Sequence, residues 1–164
     1  GKITIGTHMI NGARVKRLKV IPDERGRLME ILRVSEDKVL PRQVYMTTAY
    51  ENVVKDKENF HMHKNQTDIF CCIKGAIKLV LVDTRDDSPT KGEISEFEIG
   101  DGDPCLVTIP KKVLHAFKSL RGEALIINCI DHEYNRKDPD EFRIKNEYYD
   151  WDRMCPRPGG KGDR

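Results

Sequence analysis

The 164-residue sequence has no run of 18 apolar residues, no Cys-x-x-Cys pair and no long block of one charge sign. The first absence excludes a helical membrane span, which needs about 20 apolar residues. The second comes with an odd count of five cysteines: Cys71, Cys72, Cys105, Cys129 and Cys155. Together these argue against a disulfide frame and for reduced thiols in a cytoplasmic protein. Cys71, Cys72 and Cys129 sit inside apolar runs and read as small buried hydrophobes. The third absence matters because the net charge is only +2 and basic residues alternate with acids, as in "DTRDDSPTKGE" and "RKDPDEFRIK". A nucleic-acid footprint needs clustered basic charge, so no such partner is expected. No secretory pattern is visible in "GKITIGTHM", and its "GTHM" piece, with His8, reads as an expression scar.

Helical periodicity is nearly as scarce. Almost every patterned segment alternates with a period of two and is rich in β-branched residues, which predicts strands. These are residues 14–21, 27–34, 42–50, 68–73, 76–83, 93–99, 105–110, 115–120 and 123–130. Lys74-Gly75 reads as a hairpin-like break, and "DDSPTKGE" as a turn cluster. In "EISEFEI", a single buried face takes Ile94, Phe97 or Ile99 only with some slippage. Of the whole chain, only "NRKDPDEFRIKNEYYDWDRM" has room for a short helix. Repeats and linkers are absent. The expected fold is all-β: a cupin-type jelly-roll barrel of antiparallel strands with a short C-terminal extension. It forms one domain over 1–154, and the Pro/Gly-rich, basic 155–164 is read as a disordered tail.

A barrel encloses a cavity lined by inward residues, so polar side chains that alternate inward are candidates for function. "FHMHKNQTDIFCCIKG" (60–75) carries two histidines at i and i+2, His61 and His63, which share one face of a strand. His115, after "IPKKVL", is a third histidine able to converge on them. Such a set suits proton transfer near neutrality. Three imidazoles with a carboxylate also make a common ligand set for a divalent metal. Spacing alone does not separate these two uses.

"HMHKNQTDIFCCIKG" followed by "IPKKVLH" resembles the two-part motif of the cupin superfamily. His61, His63 and Asp68 take its His, His and acidic positions, Gly75 closes the first part, and Pro110 and His115 form the second. Asp68 stands where Glu is usual and Lys112 where Gly is expected. More specifically, "VIPDERGRLMEIL", "RQVYMTT", "VDTRDDSPTKGE" and "VTIPKKVLHAFKSL", over residues 14–134, resemble the dTDP-4-dehydrorhamnose 3,5-epimerase family.

That resemblance implies proton abstraction and return at the carbons flanking the C4 ketone of a nucleotide-linked 6-deoxyhexose. The chemistry needs a base, an acid on the opposite face and a group to steady the enolate, and it requires no metal. It implies His61 as base, with His63 and His115 also catalytic or lining the cavity. Arg25, Glu30 and Gln43 match substrate-binding positions, the first two often supplied by a partner subunit, and Gln66 and Asp68 join them. A homodimer is therefore expected, and the alternating Val15, Leu18 and Val20 are compatible with strand pairing across it. Glu58 replaces an expected Arg, Asp68 an expected Lys, and the family's acid Tyr falls on or beside Ile127 and Asn128, with Tyr134 several residues away. Asp150 or Asp152 is expected to orient the base. "HMHK" is also similar to nucleotide-sugar 3,4-ketoisomerases. The alternative to an epimerase is a metal-binding cupin using His61, His63 and His115 with Asp68 or Gln66, or a non-catalytic sugar-nucleotide binder.

Plainer roles are expected elsewhere. Asp83 and Arg85 brace the turn to Ser88-Pro89-Thr90. Arg25 also suits a turn or ion pair, Glu30 an outward position and His132 a solvated loop. Tyr148, Tyr149 and Trp151 suit packing of the C-terminal segment on the barrel.

Overall fold

The computed structural model describes residues 4–5 and 9–158. The readings of residues 6–8, His8 included, and of 159–164 lie outside the described residues. Along the chain run β1 (Thr4–Ile5), β2 (Arg14–Arg17), β3 (Val20–Asp23), β4 (Gly26–Met29), α1 (Val34–Asp37), β5 (Gln43–Ala49), β6 (Asn59–Met62), β7 (Asp68–Val82), β8 (Ile94–Gly100), β9 (Cys105–Ile109), β10 (Leu114–Ile130), β11 (Phe142–Lys145), β12 (Tyr149–Asp150) and β13 (Cys155–Pro156). Nine strands form one antiparallel curled sheet in the order β1-β8-β7-β10-β6-β11, with β5 on β10 and β9 joining β7 to β2. The fold is all-β, as the alternation predicts. No helix among the described residues is long and apolar enough to cross a membrane.

Two long bent strands organise this sheet, and they correct the expected hairpin at Lys74-Gly75. The chain does not reverse there. Gly75 takes φ +77, a left-handed conformation that costs glycine nothing, and a Cβ on it would meet the Arg121 carbonyl at 2.8 Å. The strand therefore turns a corner without losing its partners. Residues 68–71 of β7 pair with β9 and residues 76–82 with β8. β10 follows the same bend through register shifts between Ser119 and Ile126, so residues 115–120 and 123–130 belong to one strand.

Burial on both faces of the sheet explains why β8 needs no slippage. Phe97 and Ile99 enter the main core with Phe70, Leu79, Leu81, Val107 and Phe117. Ile94 points the other way, into a second cluster with Phe60, Val80, Tyr148, Tyr149 and Trp151. Each such side chain, fully buried, contributes roughly 1.5–3 kcal/mol. The aromatic C-terminal residues thus do cover the sheet: the Tyr149 and Trp151 rings lie 4.7 Å apart and Trp151 stacks on Phe60 at 6.4 Å.

Other departures have local causes. Residues 14–21 are two strands, because Leu18 N–H bonds the Pro104 carbonyl (2.9 Å) and the chain then leaves β9 to form the β3–β4 ribbon. Residues 34–37 form α1, since the Asp37 carboxylate accepts Arg33 N–H (2.8 Å) and Lys16 Nζ (2.6 Å). The expected C-terminal helix is absent. Its "FRIK" is β11, paired along β6 with Ile144 against the second cluster, so tertiary pairing overrides local preference. The tail boundary also moves, because Cys155–Pro156 pairs with β12 and Arg157 Nε bonds the Tyr149 carbonyl at 3.1 Å. The Asp83 brace forms as read: the fully buried carboxylate accepts Arg85 Nε (2.9 Å) and Thr90 Oγ1 (2.6 Å).

Candidate active site

Strand β6 is only four residues long, and its neighbours hold it. His61 is paired with His115 on β10 and with Arg143 on β11. This register brings His61, His63 and His115 to one pocket, whose wall also includes Tyr45, Lys55, Asp56, Asp68 and Glu141 above the Phe70 and Phe117 rings. His63, one residue beyond β6, has its ring centroid 5.2 Å from that of His115.

Asp68 begins β7 and is 2% exposed. A lone carboxylate could not be buried so deeply without compensation. Here Oδ1 accepts Gln66 Nε2 at 2.6 Å, and Oδ2 faces His63 Nε2 at 3.2 Å and His115 Nε2 at 3.3 Å. Burial pushes the Asp68 carboxyl up, but these two histidines outweigh it and hold it well below its ordinary value. The backbone supports the opposite side of each ring. His63 Nδ1 lies 2.6 Å from the Asp140 carbonyl and His115 Nδ1 3.3 Å from that of Val113. A carbonyl only accepts, so His63 Nδ1 carries a proton, and a bare Nε2 would then face a carboxylate. The ring avoids this by holding a second proton: burial lowers its pKa, yet the Asp68 hydrogen bond and charge raise it to about 9. His63 is a largely but not fully enclosed cation at neutral pH.

His61 is built differently. Nε2 lies 3.0 Å from the Asp56 carboxylate and Nδ1 3.1 Å from that of Glu141. The ring is partly open to solvent, with 26% of its side chain exposed. The two histidines of one H-x-H motif therefore have different chemistry, one locked on a buried anion and one flanked by two more accessible carboxylates.

Several expected residues lie elsewhere. Gln43 and Gln66 border an adjoining cleft with Tyr134 and Asp140, where Gln43 Oε1 accepts Tyr134 N–H at 2.7 Å. Arg25, at the β3–β4 turn, bonds Asp23 at 2.7 Å, and Glu30 pairs with Arg33 beside a separate groove. Neither lines the pocket in a single chain. Asp150 and Asp152, expected to orient the base, border a different cleft with Glu58, and Asp152 pairs with Lys57 at 2.8 Å. Carboxylates do flank His61, but they are Asp56 and Glu141. The metal set His61, His63 and His115 is likewise not the convergent one: the ligand atoms that lie within 4.8 Å of one another belong to His63, Asp68 and His115. His132 is exposed and its Nδ1 lies 2.9 Å from the Asp131 carboxylate.

Sequence reasoning missed Tyr45, Lys55, Asp56, Asp140 and Glu141. Asp140 ties the turn after β6 by accepting the backbone N–H groups of Lys64 (2.7 Å), Asn65 (2.9 Å) and Gln66 (3.0 Å). Asp56, five residues before His61, had a local signal in its spacing; Asp140 and Glu141, nearly 80 residues away, had none. Lys112, where Gly was expected, takes glycine's conformation at φ +66, and its N–H bonds the His63 carbonyl at 2.6 Å.

The protein family described as dTDP-4-dehydrorhamnose 3,5-epimerase matches residues 7–153. The probable low-salt glycan biosynthesis epimerase of Haloferax volcanii is 38% identical over 139 residues, covering 82% of this chain and 87% of that protein. The spore coat polysaccharide biosynthesis protein SpsL of Bacillus subtilis is 37% identical over 139 residues, covering 83% and 89%. A solved dTDP sugar isomerase from Desulfovibrio desulfuricans superposes with a TM-score of 0.78 at 25% identity, over 87% of this chain and 92% of that one. With this fold and this extent of similarity, the chain belongs to the dTDP-4-dehydrorhamnose 3,5-epimerase family.

Proposed function

We propose that the protein epimerises a nucleotide-linked 4-keto sugar, with His61 removing a proton from a carbon beside the C4 ketone. The observation that carries this reading is the division of labour between its two neighbouring histidines. His61 is solvent-reachable and flanked by Asp56 and Glu141; to act as a general base it releases one of these carboxylates, so that the freed nitrogen meets the carbon while the other acid orients the ring. His63 is an imidazolium at neutral pH and supplies positive charge for the oxygen of the enolate. His115 Nε2 holds the Asp68 carboxylate in place at 3.3 Å, and Phe70 and Phe117 give the sugar an apolar wall. Relatives named for dTDP sugars support a dTDP-linked substrate. Arg25 and Glu30 do not reach this pocket in one chain, so nucleotide binding by them requires a homodimer in which a second copy brings its β3–β4 ribbon to the pocket. Free thiols at all five cysteines support a cytoplasmic site of action.

The test is incubation with dTDP-4-keto-6-deoxyglucose in D2O. Deuterium at C3 or C5 of the recovered sugar is expected, and its complete absence sinks the reading. A ketoisomerase-like use of His61 and His63 is separated by the product, a moved carbonyl in place of an inverted centre.

A second reading attaches to His63, Asp68 and His115, whose spacing suits a divalent cation. Both rings are backed by carbonyls, as metal-bound imidazoles commonly are. The cluster is nevertheless closed by its own hydrogen bonds, and in the epimerase reading the positive charge His63 offers the enolate comes from a proton and needs no metal. Protein treated with a chelator is expected to keep its full exchange rate and melting temperature. Stoichiometric metal by elemental analysis, with loss of exchange on chelation, would establish the metal reading instead.

A further inference from the structure

We propose that Tyr45 is the residue that returns a proton to the sugar carbon, from the face opposite the base. This rests on the epimerase reading and adds to it the group that completes an inversion. Tyr45 lies on β5 and lines the same pocket as His61 and His63. Its partner across β10 in the sheet register is Asn128, which is fully buried. Two hydrogen bonds fix which way that amide points. Asn128 Oδ1 accepts Ile69 N–H at 3.0 Å, so Nδ2 must be the end that reaches Tyr45 Oη, at 2.8 Å.

An amide NH2 only donates. The tyrosine oxygen is therefore the acceptor in this contact, and its own O–H is left free to donate. Among the described residues none accepts it. An oriented phenol with an uncommitted proton on the wall of a pocket is arranged as a donor.

Its acidity suits the same task. Burial, helped by the negative charge of Asp68, pushes Tyr45 up to about 12, so the phenol stays protonated throughout the neutral range. The Asn128 N–H acts in the opposite direction and steadies the oxygen once the proton has left. The proton balance closes. His61 takes a proton from carbon, and the electron pair moves into the enolate. The enolate carbon takes the Tyr45 proton, and the phenolate and protonated His61 are reset by exchange with solvent. Neither oxidant nor cofactor is consumed.

The test compares two readouts in D2O with dTDP-4-keto-6-deoxyglucose: deuterium appearing in recovered, uninverted sugar, and formation of the inverted product. Tyr45→Phe removes only the hydroxyl, and its melting curve establishes that it is folded. It is expected to retain deuterium uptake within a few fold while inversion falls 10²-fold or more, about what general acid catalysis supplies. A second variant carrying 3-fluorotyrosine at position 45, a more acidic phenol, is expected to move the alkaline limb of the inversion rate to lower pH. Inversion at the parental rate in Tyr45→Phe overturns the proposal. So does equal loss of uptake and inversion in the folded variant, which would make Tyr45 a binding group, or an unmoved alkaline limb. Parent protein that takes up no deuterium fails at the earlier step, the epimerase reading itself.

Discussion

His61→Asn is expected to lower deuterium uptake from D2O by 10²–10⁴-fold, the usual size of a lost general base, while the protein melts at nearly its parental temperature. Asn keeps polarity at a partly exposed position, so the Asp56 and Glu141 carboxylates lose a ring but remain near solvent. The two flanking acids then separate. Asp56→Asn and Glu141→Gln are each expected to slow uptake less than His61→Asn does. The larger of the two losses identifies the acid that orients the base, because only that carboxylate sets the tautomer during abstraction. Parental uptake in His61→Asn would move the base to another residue.

The second large effect is on stability. Asp68→Asn leaves His63 and His115 without the anion they share, and the Asn amide brings donors toward imidazole nitrogens that already donate. Breaking a buried charge pair costs roughly 3–5 kcal/mol, and for a domain of this length that lowers Tm on the order of 10 °C. The pH dependence has a definite sign. His63 rises from 6.5 in the unfolded chain to about 9 in the folded one, so its contribution is complete below pH 6.5 and disappears as pH climbs through about 9. Asp68 is depressed below 3.8, so its contribution is present above pH 3.8 and declines as pH falls below that value. Parental Tm is therefore expected to be highest between these limits and to slope down on either side, while Asp68→Asn slopes less over both windows, keeping the acid-side slope that Asp83 and the other depressed carboxylates contribute. An unchanged Tm in the variant would show that the cluster carries no net stabilisation.

The all-β class was readable because alternation such as Arg14–Arg17 and Gln43–Ala49 is a local property, and the family motifs were readable because they are contiguous. The site was only half readable. His61, His63, Asp68 and His115 stood out by residue type and spacing, yet the feature that distinguishes the two neighbouring histidines is what lies across from each. His61 faces Glu141 and His63 faces Asp140, residues brought in by β11 pairing with β6. A strand read as helix conceals that pairing. The same holds for Tyr45, which looks like an ordinary strand aromatic until the register places it beside Asn128. The bend at Gly75 was misread for a related reason, since a bulged corner and a hairpin break alternation in the same way.

That corner also bears on how quickly the protein can acquire its site. The long strands pair Val82 with Leu114 at one end and Asp68 with Ile130 at the other. Closing the second pair links positions more than 60 residues apart, and the loop entropy of that closure is lost before the contact gains anything. Topologies dominated by such distant pairs fold on the order of milliseconds to seconds. Asp68 sits at the far end of this zipper, so while His63, five residues away, can reach it locally, His115 on β10 meets the shared anion only once the two long strands have paired. Until then the chain displays apolar strands without a neutralised centre, and the lifetime of that species, more than the final stability, sets how readily it is lost to aggregation during synthesis.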